Sequence, residues 1–233
     1  MIASDRLLRW LCWGLIVFSV VAAAMLLTLS QNPFGTPVPD SMDYVERLRI
    51  YRSDDQKIYG LVQISGLASA IVLLIATMLG PVLRRFARAG AGADVMAVLF
   101  IVGGAIGVTA NLVNIAAAQF ASFGLCDCGY TANEAIGQAY ALGALWTVIP
   151  WLNVGSIVIV GLGVALAGAV VDLGRDFRLL SNLIALGVLA GAVMLVLDQG
   201  FLYNVVIGLT AGIAVPTWAF FLARGSRQLT ERG

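Results

Sequence analysis

Cys126 and Cys128, separated by one aspartate, carry the reactivity in this sequence that is easiest to name. Two thiols at that spacing are too close for an unstrained disulfide, although a small strained ring can form. A four-ligand zinc site needs more than two sulfurs, and the sequence contains no histidine and only one further cysteine, Cys12, inside an apolar run. The pair therefore reads as a loop-tightening disulfide or as two thiols without a role, and Cys12 as a packing residue. The absence of histidine also removes imidazole bases and histidine-ligated haem or chlorophyll.

Amides are the next candidates. Asn111 and Asn114 lie three apart in an apolar stretch and share a helical face, with Thr109 and Gln119 nearby. Asn153, at the start of a later apolar run, is placed to meet them. The cluster has two readings: hydrogen-bonded glue between helices, or the polar contact of a ligand site. Nucleophilic catalysis has no footing. No serine sits in a G-x-S-x-G elbow, and the only lysine, Lys57, lies in a polar loop, so no serine–lysine pair forms within a span. No ionisable residue falls at the middle of an apolar run, which argues against a proton-coupled pump. Asp172 and Asp198 sit at run ends, within reach of water. The chain is read as non-catalytic and without a cofactor or metal.

The elements that position these residues follow from composition. Of the 233 residues 60% are hydrophobic and 12% charged, and the mean hydropathy is +0.93. Soluble domains average roughly 45–50% apolar and about 25% charged, so the composition implies an all-α, polytopic bundle of about six transmembrane helices. The spans fall near residues 7–29, 59–83, 95–118, 151–171, 179–197 and 203–223, all within one domain covering 1–233. The first run resembles a secretory signal in its basic start and its Ala22-Ala23-Ala24 stretch. It continues past those alanines, however, and is read as a retained span.

Between the spans lie two long loops, 30–58 and 119–150. In the first, Met42, Val45, Leu48 and Tyr51 recur every three residues among charges, which fits a surface amphipathic helix or a solvated loop helix. In the second, the uncharged stretch from Ala135 to Val171 is too long for one perpendicular span. Pro150 is expected to divide it into an interfacial or re-entrant helix over 133–149 and a span from Trp151. Trp10, Trp146, Trp151, Trp218, Tyr59 and Tyr203 fall near span ends, as interfacial belts do.

An even number of spans places both termini on one side. Arg6, Arg9, Arg84, Arg85, Arg88, Arg175, Arg178, Arg224, Arg227 and Arg232 share that side, and only Arg47, Arg49, Arg52 and Lys57 lie on the other. The positive-inside rule makes the arginine-rich side cytoplasmic, in a bacterial inner membrane. A net charge of +1 offers no basic stripe for nucleic acid. Gly103/Gly107, Gly187/Gly191 and Gly208/Gly212 are small-xxx-small pairs, which let helices approach closely within the bundle or against partner helices. Gly161-Leu162-Gly163 follows no strand and is not a nucleotide loop.

Leu79-Gly80-Pro81-Val82-Leu83-Arg84-Arg85 closing the second span, the glycine-rich fourth span and the basic end of the last span (Trp218 to Arg224) together give the chain a resemblance. It resembles uncharacterised bacterial multi-pass membrane proteins of this length. That resemblance implies a membrane bundle and assigns no substrate or catalytic residue. The functional expectation is a non-catalytic accessory or scaffold subunit of a membrane complex, respiratory or photosynthetic, docking through glycine-lined faces. Its contacts would be the lipid bilayer, other membrane proteins, and a lipid, quinone or pigment. The alternative is a transporter or channel for a small molecule, lipid or ion built around the asparagines.

Overall fold

The computed structural model describes residues 2–30, 56–88, 90–123, 132–197 and 199–232, and every described element is a helix. In chain order these are α1 (Ile2–Ser30), α2 (Gln56–Arg84), α3 (Ala91–Phe123), α4 (Ala132–Val170), α5 (Arg175–Val196), α6 (Gly200–Leu209) and α7 (Val215–Arg232), with a π-helical turn, Thr210–Ala214, joining the last two. Hydrocarbon offers backbone groups no water, so a spanning segment must satisfy its own N–H and C=O groups, and the α-helix does so locally. Six stretches are long and apolar enough to cross a membrane: Asp5–Thr28, Gln63–Arg84, Ala91–Phe120, Ala139–Val170, Arg175–Val196 and Gly200–Ser226. The chain is a polytopic helical bundle. Cys126, Cys128, Asp198 and the 42–52 segment lie outside the described residues.

One expected boundary is absent. Pro150 does not break the chain: α4 runs without interruption through it for 39 residues, about 58 Å at 1.5 Å per residue, against roughly 30 Å of hydrocarbon. Proline deletes one N–H and crowds the carbonyl four residues earlier, but within a long helix the remaining bonds hold both sides together. Residues 133–149 are thus the half of one helix farther from the arginine-rich end rather than a separate element. Together with the 33-residue α3 they form an antiparallel pair longer than a single bilayer crossing.

The helices form a ring in chain order. Each packs on its neighbours in sequence, and the last span returns to α1. Close approaches at glycines fix the directions. On α3, Gly103 and Gly107 face Ser156 of α4, while Gly104 faces Thr77 and Leu73 of α2. Gly187 and Gly191 of α5 meet Thr210 and Ile207, and Gly208 and Gly212 meet Leu27 and Ala23 of α1. Every one of these pairings is antiparallel. All six glycines singled out in the sequence therefore make close approaches within the ring.

At one end the turn after α2 hydrogen-bonds the end of α4, Arg88 N–H to Val170 C=O at 2.9 Å. Leu173 there lies against Gly225 of α7. Gly90 and Gly174, with φ of 149° and 93°, adopt in these two turns a backbone that L side chains rarely take. Arg6, Arg9, Arg84, Arg85, Arg88, Arg175, Arg178 and Arg224 consequently gather at this single end. Trp10 and Trp151 face outward, as belt residues should, at 71% and 52% exposure. Trp218 does not: it is 1% exposed and belongs to the core, because its ring points between helices instead of toward lipid.

Candidate functional site

The structure brings two of the three asparagines together. Asn111 Nδ2 donates to Asn153 Oδ1 at 3.0 Å and to the Gly107 carbonyl, one turn back, at 2.8 Å. Asn114 joins neither, and no hydrogen bond of its side chain is seen among the described residues. Seventeen residues separate Asp94 from Asn111, so the pair lies about 26 Å from the arginine-rich end, close to the far side of the hydrocarbon. One bond of the pair crosses from α3 to α4 and the other returns to the backbone of α3. This is the geometry of interhelical glue. A second polar link lies deeper, where Ser156 Oγ, fully buried, donates to the Gly103 carbonyl at 2.7 Å. The absence of a side chain at Gly103 is what exposes that carbonyl.

The centre of the ring holds the other candidate. An apolar chamber of about 120 Å³ is walled by every span: Leu15 of α1, Leu73 and Ala76 of α2, Phe100 of α3, Val160 and Val164 of α4, Val188 of α5, and Thr210 and Trp218 of the last. Its lining is almost wholly hydrocarbon. At the arginine side it is closed by a hydrogen-bonded aromatic node. Trp218 stacks on Phe177 with centroids 5.6 Å apart, and its indole Nε1–H donates to Ser181 Oγ at 2.8 Å. Ser181 Oγ in turn donates to the Phe177 carbonyl at 2.8 Å. A buried indole N–H needs a partner, and Ser181 supplies it within the bundle.

The opposite part of the wall is irregular. At the π-turn the Val215 N–H bonds to the Thr210 carbonyl, five residues back. Pro216 accounts for its location: it has no N–H to offer the carbonyl of Gly212, and local widening is how membrane helices absorb such a loss. Thr210 Oγ1 donates to the Val206 carbonyl at 2.8 Å, which adds a side-chain bond next to the distortion. Widened turns of this kind occur often at functional sites.

Among the described residues, three ion pairs lie at the arginine-rich end: Arg84 with Asp94, Arg88 with Asp172 at 3.2 Å, and Arg9 with Asp5 at 2.6 Å. Asp5 is the buried member of the last pair, and its second oxygen has no hydrogen-bond partner. No group of three metal-ligating side chains occurs among the described residues.

The sequence reading missed the chamber, Ser156, Ser181 and the node around Trp218. A serine inside an apolar run is a usable signal, and Pro216 in the last span marks the bulge. Which face each presents depends on the ring order, which no local pattern encodes. Comparison with family models, curated proteins and solved structures finds no match to this chain.

Proposed function

We propose that the chain is a non-catalytic multi-pass protein of a bacterial inner membrane, with both termini cytoplasmic, that holds the hydrocarbon end of a lipid chain in its central chamber. The chamber itself is the observation that carries this reading: all six spans contribute to it and its walls are apolar. An apolar cavity of about 150 Å³ is known to stay dry and to accept benzene-sized guests, so a chamber of this size suits a chain end and has no room for a pigment ring. The widened turn at Thr210–Ala214 supports the reading by giving one wall a helix that is not uniformly hydrogen-bonded. The asparagine pair is left out of this reading, since Asn111 Nδ2 donates both to Asn153 Oδ1 and to the Gly107 carbonyl and neither residue lines the chamber.

The test is photolabelling of the purified full-length chain with a phospholipid bearing a diazirine near its acyl terminus. Label is expected on chamber residues of several spans. Ala76→Phe should remove it, because Ala76 is 4% exposed and its methyl lines the chamber. Label confined to outward-facing residues, unchanged by Ala76→Phe, refutes the proposal. Orientation is tested separately. A cysteine at Arg224 should react with an impermeant maleimide only in inverted vesicles, and one at Lys57 only in right-side-out vesicles.

A second reading keeps the accessory-subunit role, on a different face. Only 28% of the apolar window of α5 and 22% of that of the last span is buried, against 56% for α2. Leu183, Leu186, Val193 and Ile213 stand outward on that side. Gentle-detergent purification with mass spectrometry and crosslinking tests it. A stoichiometric companion crosslinked at Leu183 or Leu186 supports the role, and a companion crosslinked elsewhere, or none, rejects it.

A further inference from the structure

An open cleft of about 520 Å³ lies at the arginine-rich end, in the turn between α2 and α3. That volume is within the roughly 300–1,000 Å³ of ordinary small-molecule sites. Its apolar wall comes from Pro81, Ala87 and Ala93, and its polar wall from Arg84, Arg85 and Asp94. Gly90 in this turn has φ 149°, and a side chain added there would meet nothing within 4 Å. Arg84 is tied to Asp94, whereas Arg85 has no ion pair among the described residues. Two guanidinium groups against one carboxylate leave the cleft with a single net positive charge. Arg88, the next cation along the chain, is already committed to Asp172. Depth matters as well: Pro81 is one turn before the end of a membrane-crossing helix, so the apolar wall sits at the edge of the hydrocarbon and the arginines at headgroup level.

We infer that this cleft binds a phosphate group bearing one net negative charge, as carried by an anionic phospholipid headgroup. The planar guanidinium of Arg85 can take two phosphate oxygens at once. Arg84, oriented by Asp94, presents its remaining N–H donors to the same group. The apolar wall receives the glycerol and the first methylenes of the chains. Basic pockets between membrane helices on the cytoplasmic side bind anionic headgroups in this way. A zwitterionic headgroup brings its own cation toward Arg85 and loses the charge balance.

Native mass spectrometry of the full-length chain, released from nanodiscs of equal parts phosphatidylglycerol and phosphatidylcholine, tests the assignment. One phosphatidylglycerol should be retained in preference to phosphatidylcholine. Arg85→Gln should lower that retention about tenfold, the loss of one charge-assisted contact. Asp94→Asn, which raises the net charge of the cleft, should increase it, and Arg224→Gln, at the same end but outside the cleft, should leave it unchanged. Equal retention of the two lipids overturns the inference, as does equal sensitivity to Arg85→Gln and Arg224→Gln, which would reduce the effect to the general charge of that end. Excess inorganic phosphate distinguishes the source. If it displaces the lipid and itself binds with the same dependence on Arg85, the cleft serves free phosphate and the lipid assignment fails. If the lipid stays bound, its chains contribute and the assignment stands. Neither result bears on the central chamber, whose test uses acyl-chain label and Ala76→Phe.

Discussion

Gly104→Ala should be the most damaging single methyl that can be added to this protein. A Cβ on Gly104 would lie 2.6 Å from the Leu73 carbonyl oxygen and closer still to Thr77 Oγ1. Those two atoms are bonded to each other, Thr77 Oγ1 donating to Leu73 C=O at 2.9 Å. Threonine can swing aside only by giving up that bond, and the carbonyl is backbone and cannot swing at all. Ordinary contact begins near 3.4 Å, so α2 and α3 must separate by about 0.8 Å at this point. A gap of that order forfeits a quarter to a half of the dispersion well for the contacts around it, and overpacking typically costs about 1–3 kcal/mol. Because α2 and α3 form the most extensive helix pair in the ring, the upper part of that range applies. The assay is unfolding of the detergent-solubilised chain followed by tryptophan fluorescence. Gly155→Ala is the control, since a Cβ there meets nothing within 4 Å and alanine is intrinsically better in a helix by about 0.5–1 kcal/mol. Adding Thr77→Ala to Gly104→Ala should recover only part of the loss, because the Leu73 carbonyl remains. If Gly104→Ala unfolds with the control, to within about 0.5 kcal/mol, the close approach of α2 and α3 is wrong.

Three other outcomes follow from the packing. Asn111→Leu and Asn153→Leu, alone and together, should give a double-mutant coupling of about 0.6 kcal/mol, and not above about 1.7; zero coupling in the same unfolding assay would separate the two amides. Trp218→Phe keeps the stack on Phe177 but removes the indole donor to Ser181, so a loss of about 1–3 kcal/mol is expected, and Ser181→Ala measured beside it should be partly non-additive. Asp5→Leu removes a buried carboxylate with one unpartnered oxygen, and should hold or raise the unfolding midpoint, since Arg9 is 40% exposed and can reach water; a lower midpoint would mean the carboxylate has a stabilising role.

Much of the fold is readable from the sequence because hydrocarbon admits so few backbone solutions. Each of the six apolar runs is a helix, and the expected boundaries fall close to the observed ones except where proline was given too much weight. Pro150 cannot end a helix whose flanks are both committed to the bundle. Pro216 does perturb its helix, yet only by widening one turn. Trp218 was misplaced for a related reason: its position near a span end suits an interface, but its direction is set by the phase of the last helix, and that phase is altered by the bulge just before it. The glycine pairs correctly marked close approaches and could not say to which helix. The site was less legible still. Chamber walls taken from every span leave no local pattern, whereas of the asparagines, which do stand out in an apolar run, Asn111 and Asn153 are linked to each other and Asn114 is not.

The widened turn in the last span also bears on how this sequence can change length. A π-turn accommodates one more residue than the regular helix on either side, so it acts as a slack link in an otherwise rigid rod. Removing one residue between Thr210 and Ala214 should let the turn tighten to ordinary α geometry while Gly208 keeps facing Leu27 and Trp218 keeps its place on Phe177. The same deletion two turns later, beside Phe221, has no slack to draw on and would rotate everything beyond it by about 100°. The last span is therefore a helix in which one short stretch can lose a residue while its neighbours stay in register.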